Sequence, residues 1–300
     1  MKPFGRLITA MVTPFDADDA VDYPRAAQLA RALVDSGTES IVVAGSTGEG
    51  QTLSAEEKLR LFESVKSAVR DSAAVIAGTC TNDTAESVRL SRAAVNIGVD
   101  GILATVPWYN KPPQAGLERH FRTIADSVEA PILLYNIPSR TATNMLAETT
   151  IRLSDVPNIV GIKEASSNLD AIGIIIRDSR SDFLVWSGND SETLPIMAIG
   201  GYGVVSVASH LVGRQIATMM SCIADGDLAG ASRIHQHLST LFGALFVMTN
   251  PIPLKYGLRQ VGFPCGGLRL PLIDIDPKSA AAMDAALDGV EIDLPTAAAV

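Results

Sequence analysis

Short apolar runs alternate with longer stretches of helical spacing through most of this chain, and that alternation constrains its fold more than any other feature. The runs fall at 7–12, 40–44, 74–78, 101–106, 131–135, 159–163, 183–187 and 203–207. They are β-branched and mostly apolar at successive positions, as parallel strands covered by helices on both faces need to be. Between them, residues 23–35, 56–70, 84–97, 116–127 and 145–153 carry apolar residues at helical intervals. Start signals agree. Ser54-Ala55-Glu56-Glu57 reads as a capping box, Asp83-Thr84-Ala85-Glu86 has a similar form, and Asp22 precedes a helix with Pro24 in its first turn. Gly37 and Gly98 mark helix stops.

Strand and helix in regular succession give a parallel α/β architecture. About eight such units in unbroken series favour a closed (β/α)8 TIM barrel, with an open doubly wound sheet as the second reading. No linker or low-complexity stretch divides the chain before residue 207. Beyond it the pattern is helical only, at 215–224, 228–246, 254–261 and 277–287. The expected organisation is a barrel over residues 1–225, a C-terminal helical region over 226–300 packed on it, and a loose tail at 294–300.

A net charge of −9 argues against a nucleic-acid backbone as partner. Cys80, Cys222 and Cys265 are scattered and form no CxxC pair, so neither a disulfide framework nor a zinc site is expected, and a reducing compartment fits. His235 and His237 point to different faces of a helix, and His120 and His210 lie far from any recognisable carboxylate cluster. The apolar run near the start stops at Pro14-Phe15-Asp16, too soon for a signal peptide or a membrane span. The expectation is a first strand in a cytoplasmic protein.

In a β/α barrel the reactive groups lie at the C-terminal ends of the strands. There this chain places Gly45-Ser46-Thr47-Gly48-Glu49-Gly50, Trp108-Tyr109, Tyr135 to Arg140, Lys163-Glu164, Ser187-Gly188-Asn189-Asp190 and Val204-Val205-Ser206. Each has a plain structural explanation. The glycine loop can be a mere turn, and it lacks the lysine of a phosphate-binding loop. The tyrosines can be rim aromatics, Arg140 a surface arginine, and Asp190 and Glu192 charges at a helix start. Lys163 closes the apolar run Ile159-Val160-Gly161-Ile162, just before the turn-and-cap cluster Ser166-Ser167-Asn168. Its ammonium can snorkel to water, or desolvation can lower its pKa until it attacks a carbonyl. Together the residues make one set. Arginine offers a fork for a carboxylate, a dry lysine offers imine chemistry, and hydroxyls can relay protons. The combination suits a keto acid.

Four runs carry a specific resemblance: Gly45 to Glu49, Tyr135 to Thr141, Gly161-Ile162-Lys163-Glu164-Ala165, and Asn250-Pro251-Ile252-Pro253-Leu254-Lys255. They resemble the dihydrodipicolinate synthase family within the pyruvate-dependent class I aldolases. The likeness runs in order from Gly5 to about Leu270, and Ser139-Arg140-Thr141 points to the synthases rather than their siblings. The resemblance implies condensation of pyruvate with L-aspartate 4-semialdehyde to 4-hydroxy-tetrahydrodipicolinate, in lysine and diaminopimelate biosynthesis, without metal or cofactor. It makes Lys163 the imine-forming residue and Tyr135 the acid/base, with Thr47 and Tyr109 completing a hydroxyl relay. It places the pyruvate carboxylate at Ser46 and Thr47, the aldehyde's carboxylate at Arg140, and the backbone of Gly188 and Val205 at the pyruvate end. The residue matching Tyr109 reaches into a neighbouring subunit in this family, which implies a homodimer at least and usually a dimer of dimers.

Lysine-sensitive members bind that end product at positions matching Gly50, Gln51, Ala55, Lys58, Asn82, Glu86 and Trp108. Asn82 and Glu86 fit. Ala55 and Lys58 replace histidines, Trp108 replaces a tyrosine, and a fixed cation there opposes a lysine ligand, so weak or absent inhibition is expected. Asn189 stands where an acid is frequent and is assigned no catalytic role. The rival readings are a sibling aldolase, such as N-acetylneuraminate lyase or a 2-keto-3-deoxy sugar acid aldolase, and a non-catalytic barrel that binds a keto acid. Arg140 favours a second carboxylate over a sugar.

Overall fold

The computed structural model describes residues 4–296. The first half of the barrel runs β1 (Leu7–Ala10), α1 (Tyr23–Asp35), β2 (Ser40–Val43), α2 (Ala55–Val69), β3 (Ala74–Gly78), α3 (Thr84–Ile97), β4 (Gly101–Thr105) and α4 (Gln114–Ala125). The second half runs β5 (Ile132–Asn136), a single turn α5 (Pro138–Thr141), α6 (Ala147–Ser154), β6 (Ile159–Glu164), α7 (Leu169–Asp178), β7 (Leu184–Ser187), α8 (Thr193–Ala198), β8 (Gly203–Ser206) and α9 (Ser209–Ala224). All eight strands are parallel, and β8 returns to pair with β1, so the sheet is a closed barrel. The closed form, not the open sheet, is the fold.

The caps hold where the sequence places them. Glu57 N donates to Ser54 Oγ at 3.1 Å and Ser54 N donates back to the Glu57 carboxylate at 2.8 Å. Asp83 accepts from Glu86 N, but the Glu86 carboxylate turns to Arg89 and leaves that box half closed. Helix α9 begins six residues before the expected 215, with Val212 leaving helical geometry inside it. The C-terminal helices are α10 (Leu228–Ala244), α11 (Ile252–Gln260) and α12 (Pro277–Leu287). The expected loose tail is corrected in its first part: Leu294 is buried, and Asp293 bonds to Leu211 O and accepts from Gln215 N. The rest of that tail, 297–300, lies outside the described residues.

Two apolar layers follow from strand alternation. One, with Leu7, Ile41, Val75, Ile102 and Leu134, faces the helices. The other, with Ile8, Val42, Ile76, Leu103, Leu133 and Trp186, fills the barrel interior. Trp186 is fully buried, donates to Gly5 O at 3.0 Å, and meets the Tyr202 ring edge-on at 5.2 Å.

One irregularity decides the orientation of β6. Ile132 pairs with Ile159, but Leu133 pairs with Gly161, so Val160 is an extra residue on β6. Ile159 belongs to the outer layer. Simple alternation from it would carry Lys163 to the helix side as well. The bulge reverses the phase, and Lys163 comes level with Tyr135 across β5. Gly161 is where the strand can do this. A Cβ there would lie 2.2 Å from Leu184 O and 2.6 Å from the Trp186 ring. Gly161→Ala should therefore destabilise the barrel by about 1–3 kcal/mol, or more where backbone must shift. Urea unfolding should show a lower midpoint at unchanged slope. A midpoint equal to that of the parent protein would contradict this packing.

Candidate active site

Lys163 and Tyr135 sit side by side on adjacent strands near the carboxyl end of the barrel. Lys163 is 5% exposed and Tyr135 4%. The lysine Nζ lies 4.2 Å from the centroid of the Tyr135 ring. Among the described residues no carboxylate comes within ion-pair distance of it. Burial lowers the Lys163 pKa to about 7; the Asp190 carboxylate opposes that shift and Arg140 adds to it. Burial also pushes the Tyr135 phenol above its ordinary value, with Arg140 pulling it back. The pair is thus an amine that shares its population between free and protonated forms near neutrality, beside a phenol that keeps its proton.

Asp190 does stand at a helix start, in the first turn of the 3-10 segment Asp190–Glu192 that leads into α8. Its carboxylate, however, turns to the junction of β8 and α9. It accepts from the Val207 and Ala208 amides at 3.0 Å and from the Ser206 hydroxyl. Its charge reaches Lys163 only from a distance.

The loop after β2 folds tightly. Gly50 N bonds Gly45 O at 3.0 Å, and a Cβ on Gly50 would lie 2.1 Å from Ala44 O. Two contacts from the C-terminal helices hold it. Lys255 makes a buried ion pair with Glu49 at 2.7 Å, and Asn250 Nδ2 donates to Thr47 Oγ1 at 2.8 Å. Asn250 also accepts from Arg140 through its backbone carbonyl, at 3.2 Å.

Lys163, Tyr135, Thr47, Arg140, Gly188 and Asn250 line one cavity of about 30 Å³. Ser46 lines it too, and also a neighbouring cavity of about 340 Å³. The larger cavity is walled by Gly50, Gln51, Ala55, Lys58, Glu86 and Trp108. Asn82 stands outside it, donating to Trp108 O at 3.4 Å. Gly188 is pinned by its N–H to Glu164 O at 2.6 Å. Val205 is deep in the barrel, in register with Ile8; Val207 lines the cavity instead. Tyr109 stands apart, 86% exposed with φ of +73°, on the loop after β4. Sequence reasoning gave no role to Asn250 or Lys255. The available signal was a polar residue at each end of the otherwise apolar Pro251-Ile252-Pro253-Leu254 run.

A (β/α)8 barrel that keeps a desolvated, unpaired amine beside a phenol at the carboxyl end of its strands has the form of a class I aldolase, a lyase working through a lysine imine. The chain matches the dihydrodipicolinate synthetase family over residues 3–289, and it belongs to that family. It is 55% identical over 295 residues to the 4-hydroxy-tetrahydrodipicolinate synthase of Dehalococcoides mccartyi, covering 98% of this chain and 99% of that one. The enzyme of the same name from Moorella thermoacetica is 53% identical over 270 residues, covering 90% and 92%. A solved dihydrodipicolinate synthase from Cyanidioschyzon merolae with lysine bound superposes with a TM-score of 0.95 at 47% identity, covering 96% of this chain and 99% of that one. The synthase from Aquifex aeolicus gives 0.93 at 40% identity, covering 95% and 97%.

The lowered amine pKa fixes the sign of a stability effect. In the unfolded chain Lys163 recovers an ordinary pKa of about 10.4. Between about 7 and that value the unfolded state binds the extra proton, so this residue's contribution makes native stability rise with pH. Its penalty is full below the folded pKa and gone above the unfolded one. Lys163→Met should stabilise the barrel most at acid to neutral pH, with the gain shrinking toward pH 10. Urea unfolding of both proteins across that range measures it, and a gain independent of pH would contradict the buried, neutral amine.

Proposed function

We propose that this chain condenses pyruvate with L-aspartate 4-semialdehyde through an imine on Lys163, giving 4-hydroxy-tetrahydrodipicolinate. The observation that carries the reading is the desolvated, unpaired Lys163 amine beside Tyr135, in a cavity that also holds Thr47 and Arg140. Lys163 Nζ adds to the keto carbon of pyruvate, and water leaves to form a cationic imine. The imine draws electrons from the methyl group; loss of a methyl proton gives an enamine. The enamine carbon attacks the aldehyde, and the new alkoxide takes a proton. The substrate's own amine then adds to the imine carbon, closes the ring and releases Lys163.

Tyr135 moves the protons, since its ring packs against the lysine and its phenol stays protonated in the resting barrel. Thr47 accepts from Asn250, which leaves the threonine's own proton free to donate. Ser46, on the wall between the two cavities, receives the pyruvate carboxylate together with Thr47. Gly188, with the backbone that runs from Val205 up to Val207, shapes the pyruvate end. Arg140, exposed at the mouth, receives the carboxylate of the aldehyde substrate. Tyr109 lies too exposed to serve its own chain's cavity, so it completes the relay of a second copy in a homodimer, with a dimer of dimers as the full assembly. Three unpaired cysteines suit a cytoplasmic setting. Among the described residues no helix is long and apolar enough to cross a membrane.

Borohydride added with pyruvate should attach one reduced pyruvate unit at Lys163, located by mass spectrometry, and none in Lys163→Ala. Tyr135→Phe should fold normally and lose about 10²–10⁴ in kcat with aspartate semialdehyde. A sugar aldehyde turned over faster than aspartate semialdehyde would favour a sibling aldolase instead.

The larger cavity is the place for feedback by lysine, and Lys58 argues against strong feedback. Its ammonium is largely buried there, with burial lowering its pKa and Glu86 opposing. A lysine ligand would bring a second cation beside it. Inhibition by L-lysine should be weak or absent in a coupled assay; half-inhibition at submillimolar lysine would refute this.

A further inference from the structure

We infer that Asn250 sets the enzyme's preference for an aldehyde bearing an α-amine, by accepting a hydrogen bond from that amine through its side-chain oxygen. The inference rests on the condensation proposed above. Asn250 is 4% exposed and lines the Lys163 cavity. Two of its polar atoms bond residues of the site. Nδ2 donates to Thr47 Oγ1, on the side where pyruvate is held, and the backbone carbonyl accepts from Arg140, on the side where the aldehyde's carboxylate is held. A third, Oδ1, is buried and has no hydrogen-bond partner among the described residues.

A buried acceptor left unpaired is destabilising, so such an atom is a candidate for a donor that arrives with a ligand. Pyruvate brings no N–H or O–H group at neutral pH. Aspartate semialdehyde brings an ammonium on the carbon next to the carboxylate that Arg140 receives. Because Arg140 Nη2 is itself bonded to Asn250 O, a carboxylate on that guanidinium sets the neighbouring ammonium beside Asn250. The same amine must later reach the imine carbon on Lys163 to close the ring. Asn250 stands between the two, with one bond to each side. An amide oxygen can orient the amine without taking its proton, leaving nitrogen available once deprotonated.

Kinetics of Asn250→Ala and Asn250→Asp, with succinic semialdehyde as the amine-free analogue, test this. Both variants should still form the borohydride-trapped pyruvate adduct at Lys163, although each loses the N–H that holds Thr47. Asn250→Ala should raise the KM for aspartate semialdehyde about ten- to a hundred-fold, while the inhibition constant of succinic semialdehyde changes little. Asn250→Asp keeps an acceptor oxygen but loses the N–H to Thr47, so its KM should stay near the parent value while kcat falls. Equal losses for both aldehydes would reduce Asn250 to a prop for Arg140 and overturn the inference. So would an unchanged KM in Asn250→Ala, equal KM increases in the two variants, or an adduct lost in the variants alone. No adduct in the parent protein would instead sink the imine reading itself.

Discussion

The candidate site is built around a lysine deprived of water without being given a counter-ion. Among the described residues three lysines are buried, and they differ in how the charge is met. Lys255 pairs with Glu49 at 2.7 Å and donates to Gly267 O. Lys58 feels Glu86 and looks into a roomy cavity. Lys163 has only the face of Tyr135 and the distant field of Asp190. A buried charge without a partner is far more costly than a paired one, and a lysine can escape that cost by giving up its proton. Asp190 is near enough to temper the effect but spends its oxygens on the Val207 and Ala208 amides and the Ser206 hydroxyl. Had it reached Nζ directly, it would have favoured the charged ammonium.

That arrangement follows from backbone geometry as much as from side-chain identity. The extra residue at Val160 turns the end of β6 inward, and Gly161 makes room beside Leu184 and Trp186. Parallel register then sets Lys163 level with Tyr135 on one side and Trp186 on the other. The tryptophan fills the barrel below the amine, which helps keep water from approaching along the barrel axis. A shift of one residue in this register would exchange the inner and outer faces, leaving the same sequence with Lys163 among the helices.

Legibility in the sequence tracks how local each cause is. Strands buried on both faces and helices with a repeating apolar stripe announce themselves over ten or so residues, so β3, α1, α3 and α12 match their expected bounds. The turn α5 and the six-residue α8 are too short to show a period, and neither was marked. Asn168 was recognised as a cap, and it does accept from Ala171 N. Lys163 was singled out by its position at a strand end. Its phase was not legible, because simple alternation from Ile159 gives the wrong face. Asp190 is legible as a charge at a helix start, but its partners, the Val207 and Ala208 amides, lie across a strand boundary and are not. Asn250 was visible only as part of a familiar run, since its partners are about two hundred and about one hundred residues away in the chain.

Long-range partners of this kind give the C-terminal helices a part in the site. The loop Gly45 to Gly50 has residues at positive φ on either side of Thr47, at Ala44 and Glu49, a conformation that needs support from its surroundings. Within the loop, Gly50 N holds Gly45 O and Glu49 N holds Ser46 O. From outside, Lys255 holds Glu49, the Arg269 amide holds the same carboxylate at 3.0 Å, and Asn250 holds Thr47. Removing Lys255 would therefore do more than leave Glu49 buried and unpaired. It would loosen the backbone that presents Ser46 and Thr47, on the wall shared by the Lys163 cavity and the larger cavity beside it. A ligand that changed the shape of the larger cavity would push on that same wall. The loop is thus the place where the Lys163 cavity, the C-terminal region and the neighbouring cavity are mechanically joined.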